Sequence, residues 1–340
     1  MERNFAKIRG IKSVIPDNIL TNEKLALEFE AWPAAKILEK TGILQRGIAA
    51  QNQCSSDLGY EAACLLLEAY SLSPLDFDFL LFCTQSPDYF LPTTACLLQD
   101  RLKMSTRCGA LDYNLGCSGF VYGLSLAKGL IETEVARNVL LITAETYSKF
   151  IHPKDKSVRT LFGDGASATW VGAVQETEEQ IKDFVFGTDG RGAKNLIVPA
   201  GGMRLGRSQD SQCEVKDDYG NVRTKDHLFM DGPEILAFTL STVPYSVSEV
   251  LKKACIHVEQ VDYFVFHQAN RFMLEALRTK LKLPRERFCI EMESFGNTVS
   301  STIPMALEKL EEKKLLKRNS LVMLVGFGVG YSWGACLVRI

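Results

Sequence analysis

The stretch "CGALDYNLGCSGFVYGLSLAKGL" spans residues 108–130, and "CIEMESFGNTVSSTIPMALEKL" spans 289–310. Each is an apolar run, a glycine turn, small residues, then an amphipathic segment. Two flanking pairs keep the same order. "DFLLFCTQ" (78–85) resembles "DYFVFHQ" (262–268), and "RNVLLITA" (137–144) resembles "RNSLVMLV" (318–325). The three offsets are 184, 181 and 181 residues. The order is the same in both halves and two of the offsets are identical, so the pattern reads as a duplicated unit of strands and helices.

Short apolar runs alternate with amphipathic stretches elsewhere too, the mark of an α/β layering. Strands are expected at 78–83, 108–114, 138–145, 263–267 and 320–327. Helices are expected at 56–70, 117–133, 234–254, 268–281 and 302–313. The duplication divides the chain into halves at 1–175 and 176–340. In its register Gly116 matches Asn297 and Cys117 matches Thr298. Similar halves packed about a pseudo-twofold axis would bring Cys117, His267 and Asn297 together. The polar, glycine-bearing region 200–233 has no counterpart and reads as a long loop or flap.

Composition narrows the function. The chain has 340 residues, 46% hydrophobic and 24% charged, with a net charge of −2. That is ordinary for a globular protein and argues against bulk binding of nucleic acid or anionic membrane. No apolar run reaches the length of a membrane span, and no export signal is evident at the N-terminus. The ten cysteines are scattered without a CxxC pair. This is a reduced, cytoplasmic pattern rather than a disulfide framework or a metal site.

Cys117 lies between Gly116 and Gly119 in "NLGCSGF". A buried structural cysteine is one reading. The other is a nucleophile whose thiolate is favoured by the start of a helix. His267 ends an apolar strand, where a satisfied core histidine is the plain reading. Asn297 suits a helix N-cap or a side-chain donor into a site. The glycine-rich "GFGVGYSWG" (326–334) lacks the phosphate-loop patterns. It allows backbone to approach a reacting carbonyl, as an oxyanion hole needs.

Taken together, "NLGCSGF", "LFGDGASA" (161–168), "HQAN" (267–270), "FGNTVSSTIPMAL" (295–307) and "GFGVGYSWG" resemble the β-ketoacyl-[acyl-carrier-protein] synthase III family. "EKTGILQRGIA" (39–49) and "LPTTACLLQ" (91–99) extend the likeness over nearly the whole chain. The resemblance implies a thiolase-like, five-layered αβαβα fold of two related halves. It implies an acyltransferase that condenses an acyl primer with a malonyl thioester in fatty acid or related biosynthesis. The alternative it leaves open is a relative that transfers acyl groups or makes specialised metabolites. A papain-like hydrolase and a non-catalytic scaffold fit less well: signature and disulfides are missing for the first, and the complete triad argues against the second.

Carried over residue by residue, the resemblance makes Cys117 the acyl-accepting nucleophile. His267 and Asn297 become donors to the thioester oxygen of the malonyl substrate. The backbone N–H groups of Cys117 and Val329 form the oxyanion hole. Phe162 and Phe327 line the acyl pocket, and Leu91 reaches the pocket of the other subunit of a homodimer. Lys36, Lys40 and Lys156 stand where the family commonly carries tryptophan and arginine to clamp coenzyme A. Lysine meets a phosphate as a point charge without the guanidinium fork, so an acyl-carrier protein is the competing primer donor. Arg271, Arg278, Lys280 and Lys282 are the expected docking surface for that acidic carrier. No metal and no dissociable cofactor are expected, because the acyl group is held on the cysteine.

Overall fold

The computed structural model describes residues 4–340, so the first three residues of the expected N-terminal half lie outside it. Its nine long strands are β1 (Asn4–Val14), β2 (Phe79–Cys83), β3 (Gly109–Tyr113), β4 (Asn138–Glu145), β5 (Gly165–Gln175), β6 (Ile181–Thr188), β7 (Tyr263–Phe266), β8 (Leu321–Gly328) and β9 (Ser332–Arg339). The main helices are α1 (Ser55–Ala69), α2 (Thr94–Arg101), α3 (Gly119–Glu132), α4 (Gly232–Ala254), α5 (Arg271–Lys280) and α6 (Thr302–Glu312).

The first sheet runs β1-β5-β4-β2-β3, and the second runs β6-β9-β8-β7. A lone parallel bridge from Phe264 to Phe288 continues the second sheet where β3 continues the first. The two orders therefore superpose strand for strand: β1 on β6, β5 on β9, β4 on β8 and β2 on β7. The parallel pairs are also equivalent, β2 with β4 and β7 with β8. The sequence repeat thus has a topological counterpart at every aligned strand.

The strands are near-continuous runs of buried apolar residues because both sheet faces are covered. β4 is buried at seven consecutive positions and β8 along its whole length. α1 and α2 cover one face of the first sheet, α4 covers the outer side of the second, and α5 packs against α4. α3 and α6 lie between the sheets. α3 touches β1, β4 and β5 on one side and β8 and β9 on the other, while α6 touches β1 and β7. The result is five layers, αβαβα. One buried cluster joins α3, α6 and both sheets, through Phe120, Leu124, Ile303, Leu307, Leu141 and Leu324.

Small hydroxyl residues lock this central layer. Ser118 and Ser332 share a hydrogen bond of 2.8 Å, and Thr143 and Ser301 share one of 2.9 Å. Each joins the N-terminal half to the C-terminal half. Neutral pairs of this kind satisfy buried hydroxyls without burying charge.

Region 200–233 is an anchored excursion with several short strands rather than a loose flap. Arg223 bonds Asp155, which is fully buried, at 2.7 Å and Asp217 at 2.9 Å. Lys156 donates to the Tyr219 carbonyl. The polar composition of the region serves these anchors.

Candidate active site

The β7 strand delivers His267. Its N–H donates to the Val325 carbonyl of β8 at 2.8 Å, which extends the parallel ladder by one residue. The imidazole is 2% exposed and meets the Phe327 ring edge-on at 5.6 Å between centroids. Burial holds the imidazolium form down to a pKa of about 3. At neutral pH His267 is therefore uncharged.

One ring nitrogen, Nδ1, has a buried hydroxyl partner. His267 Nδ1 lies 2.7 Å from the hydroxyl oxygen of Thr302. That hydroxyl donates to the Val299 carbonyl at 3.0 Å. Its single proton can go to only one of the two, and with the proton on Val299 its oxygen accepts from His267 Nδ1–H. The Val299 carbonyl also draws on the protonated ring. A hydroxyl proton turned to Val299 goes with the Nδ1–H tautomer, and one turned to Nδ1 goes with the Nε2–H tautomer.

Asn297 is fixed by backbone on both sides. Its N–H donates to the Leu161 carbonyl at 2.9 Å, and its carbonyl accepts from Gly163 N–H at 3.0 Å. Its side-chain Oδ1 accepts from Val299 N–H at 2.9 Å. The Nδ2 group makes no hydrogen bond among the described residues and is the free donor. Val299 makes this possible through an unusual backbone. Its φ is +56°, a region that β-branched residues avoid. The turned peptide aims its N–H at Asn297 and its carbonyl at Thr302.

Cys117 sits in the bend between β3 and α3 and is 5% exposed. Two glycines make room for it. A Cβ on Gly328 would come within 2.8 Å of the Cys117 sulfur, and one on Gly116 within 2.5 Å of the Val329 side chain. The backbone N–H groups of Val329 and of Cys117 itself face the sulfur. The two N–H groups expected to form the oxyanion hole therefore both lie against the Cys117 sulfur.

The expectation that the helix start favours the thiolate is corrected. α3 begins at Gly119, two residues after the cysteine. Burial, reinforced by the neighbouring charge of Glu145, pushes the Cys117 thiol up to about 12. The two N–H groups offset part of this and do not reverse it. The resting pair is a neutral thiol and a neutral imidazole.

Phe162 and Phe327 are buried in the same apolar cluster as Cys117. Phe162 also rests against Tyr147, with centroids 5.2 Å apart. The other expected residues lie further out. Leu91 is 81% exposed, beside the exposed Tyr89 and Phe90. Lys36 and Lys40 are exposed on the short helix Ala34–Thr41, where the Lys36 ammonium lies 5.2 Å from the centre of the Trp32 ring. Lys156 is tied to the Tyr219 carbonyl. Of the expected docking cations, Arg271 pairs with Glu293 and Arg278 with Glu275. Lys280 and Lys282 are exposed and form no ion pair among the described residues. Lys282 lies past the end of α5.

Four residues of the site are not among the sequence-derived candidates: Val299, Thr302, Glu145 and Gln85. Glu145 is fully buried at the end of β4. It accepts from Gln85 N–H at 3.0 Å and from the Ser86 hydroxyl at 2.8 Å. Gln85 in turn accepts from the Tyr147 hydroxyl at 2.8 Å. The signal for Glu145 was visible as an acid closing an apolar strand in "LLITAE".

A duplicated αβαβα chain with a buried cysteine, histidine and asparagine where its halves meet defines a thiolase-type condensing enzyme. Residues 111–190 match the family described as 3-oxoacyl-[acyl-carrier-protein (ACP)] synthase III, and residues 251–340 match its C-terminal part. The chain belongs to the β-ketoacyl-[acyl-carrier-protein] synthase III family. A relative of that description from Caldanaerobacter subterraneus subsp. tengcongensis is 37% identical over 99% of this chain and 98% of its own length. A crystal structure of a 3-oxoacyl-(acyl-carrier-protein) synthase III is 56% identical, with a TM-score of 0.98, over 99% of this chain and 100% of that one. The 3-oxoacyl-(acyl-carrier protein) synthase from Burkholderia xenovorans LB400 is 36% identical, with a TM-score of 0.90, over 99% of this chain and 94% of that one.

Proposed function

We propose that this chain joins an acyl primer to malonyl-acyl-carrier protein and releases a β-ketoacyl thioester in fatty acid biosynthesis. The observation that carries the residue roles is the convergence at Cys117. Two backbone N–H groups face its sulfur, and the oriented Asn297 and His267 complete the site.

Acylation comes first. The Cys117 sulfur attacks the primer thioester carbonyl, and its proton leaves with the departing thiol. The tetrahedral oxyanion is held by the N–H groups of Cys117 and Val329, which need no reorganisation to receive it. In the second step malonyl thioester loses CO2. The electron pair of the broken C–C bond forms an enolate whose oxygen is stabilised by Asn297 Nδ2 and His267. The carbanion then attacks the acyl-cysteine, and the Cys117 sulfur departs. The reaction as written uses no metal and no dissociable cofactor.

The surrounding assignments belong to the same proposal. Lys36 and Lys40 meet the phosphates of an incoming carrier as point charges, joined by Lys156 at the start of the short helix Lys156–Arg159. Lys280 and Lys282 receive an acidic carrier protein, and the paired Arg271 and Arg278 contribute less to its attraction. The chain acts as a cytoplasmic homodimer in which the exposed Leu91 borders the partner's acyl pocket. A leucine there leaves room for longer or branched primers.

The test follows the mass of the peptide bearing Cys117 with acyl-coenzyme A and acyl-carrier thioesters. Malonyl-carrier is then added and the β-ketoacyl product sought. Acylation that disappears in Cys117→Ala, followed by product formation, is the expected result. Absence of acylation from every thioester would overturn the reading. Loading of acetyl alone from a graded primer series would overturn the pocket assignment.

A further inference from the structure

We infer that Thr302 is a positioning residue that lets His267 exchange tautomers between the two steps. This rests on the proposed role of His267 as a donor to the malonyl thioester. The argument starts from a count of protons. Thr302 is fully buried at the start of α6, and its hydroxyl touches two groups. One is the Val299 carbonyl at 3.0 Å and the other is His267 Nδ1 at 2.7 Å. A hydroxyl has one proton to donate and lone pairs to accept with.

In the resting site the proton goes to Val299, and His267 Nδ1–H donates to the Thr302 oxygen. Both contacts are satisfied, but Nε2 has no proton. A bare Nε2 repels an enolate oxygen. The decarboxylating step therefore needs the other tautomer, with the proton on Nε2. In that state Nδ1 is an acceptor, and Thr302 supplies its partner by turning its proton from Val299 to Nδ1. The exchange runs through solvent during a local opening of the site, one proton arriving at Nε2 as one leaves Nδ1, so the charge of the ring is unchanged. This matters because burial disfavours the doubly protonated ring. A side chain that could only accept, or only donate, would hold one tautomer and oppose the other.

Val299 tunes the exchange. Its φ of +56° aims the carbonyl at the hydroxyl and makes it compete with Nδ1 for the same proton. The same residue orients Asn297 through its N–H. One turned peptide thus serves both donors to the enolate.

The test compares Thr302→Val, Thr302→Ser and His267→Ala in the full chain, with the two steps assayed separately. Thr302→Val keeps the shape and removes the hydroxyl. It should acylate Cys117 as the native protein does and decarboxylate malonyl-carrier thioester about tenfold more slowly, an effect of the size one hydrogen bond supports. Thr302→Ser should restore decarboxylation. Histidine ¹⁵N spectra of the free native protein should show His267 protonated at Nδ1 alone. A native spectrum with the proton on Nε2 would overturn the inference without any variant. So would native-like decarboxylation by Thr302→Val, or an equal loss of both steps, while His267→Ala is inactive in decarboxylation. Full decarboxylation by His267→Ala would instead sink the underlying assignment of His267.

Discussion

Val299 N–H donates to Oδ1 of Asn297 at 2.9 Å from a backbone at φ +56°. A β-branched residue at positive φ costs about 1–2 kcal/mol. The strain persists because the peptide dictates which end of the Asn297 amide faces the reaction. With Oδ1 occupied, the amide presents its N–H2 group. Asn297→Asp keeps an oxygen for Val299 and replaces the donor with a negatively charged acceptor. Decarboxylation should fall by about 10²–10³, the usual effect of losing an oxyanion donor. Acylation of Cys117 should persist. Separate assays of the two steps check both halves of this expectation.

Close packing behind the nucleophile gives a second prediction. Gly328 ends β8, and a Cβ there would stand 2.8 Å from the Cys117 sulfur and 2.9 Å from its Cβ. Gly328→Ala must push the cysteine away from the N–H of Val329. A misplacement on the scale of 1 Å costs about 10²-fold in a positioned reaction. The rate of acyl-cysteine formation should drop accordingly. Near-native thermal unfolding would show that the loss is local.

His267 should not titrate where free histidine does. Its pKa is held near 3, against an ordinary value of 6.5. A depressed base is neutral in the folded chain and binds its proton only after unfolding. Stability is therefore lost as pH falls from 6.5 towards 3 and is unaffected above 6.5. The imidazole resonances of His267 should stay constant between pH 5 and 8. A titration midpoint near 6.5 at this ring would contradict the buried geometry.

How far the sequence carries these conclusions depends on the kind of interaction. Cys117 and Asn297 were legible as candidates because the repeat aligns 108–130 with 289–310, and His267 because 262–268 aligns with 78–85, whose strands prove topologically equivalent. Every expected long strand and helix is present with boundaries shifted by at most a few residues. One such shift matters: the helix start at 119 rather than 117 places the cysteine outside the first turn, and burial decides its ionisation. Thr302 and Val299 were hidden in the small-residue run "NTVSST". Their roles come from backbone orientation, which composition and periodicity do not encode. The exposure of Leu91 follows from a loop in a single chain, whereas its proposed pocket needs a second one.

The buried acid beside the nucleophile supplies the last prediction. Glu145 is fully buried, and desolvation raises its pKa from 4.5 to about 8 against the hydrogen bonds from Gln85 and Ser86. The folded chain therefore holds a proton that the unfolded chain releases near pH 4.5. Between these values the folded state binds more protons, so its stability declines as pH rises from 4.5 to 8 and then levels. Glu145→Gln has no proton to lose, yet its amide oxygen can still accept from Gln85 and Ser86. Denaturant unfolding at pH 5 and pH 8.5 should show the native chain losing a few kcal/mol more than the variant between the two conditions. The same charge is one cause of the raised Cys117 thiol, so the variant should also lower that thiol's pKa. The gain in alkylation rate at Cys117 should appear above pH 8, where the native Glu145 is ionised. An equal gain at pH 6 would mean that the carboxylate is already charged there and that burial does not control it.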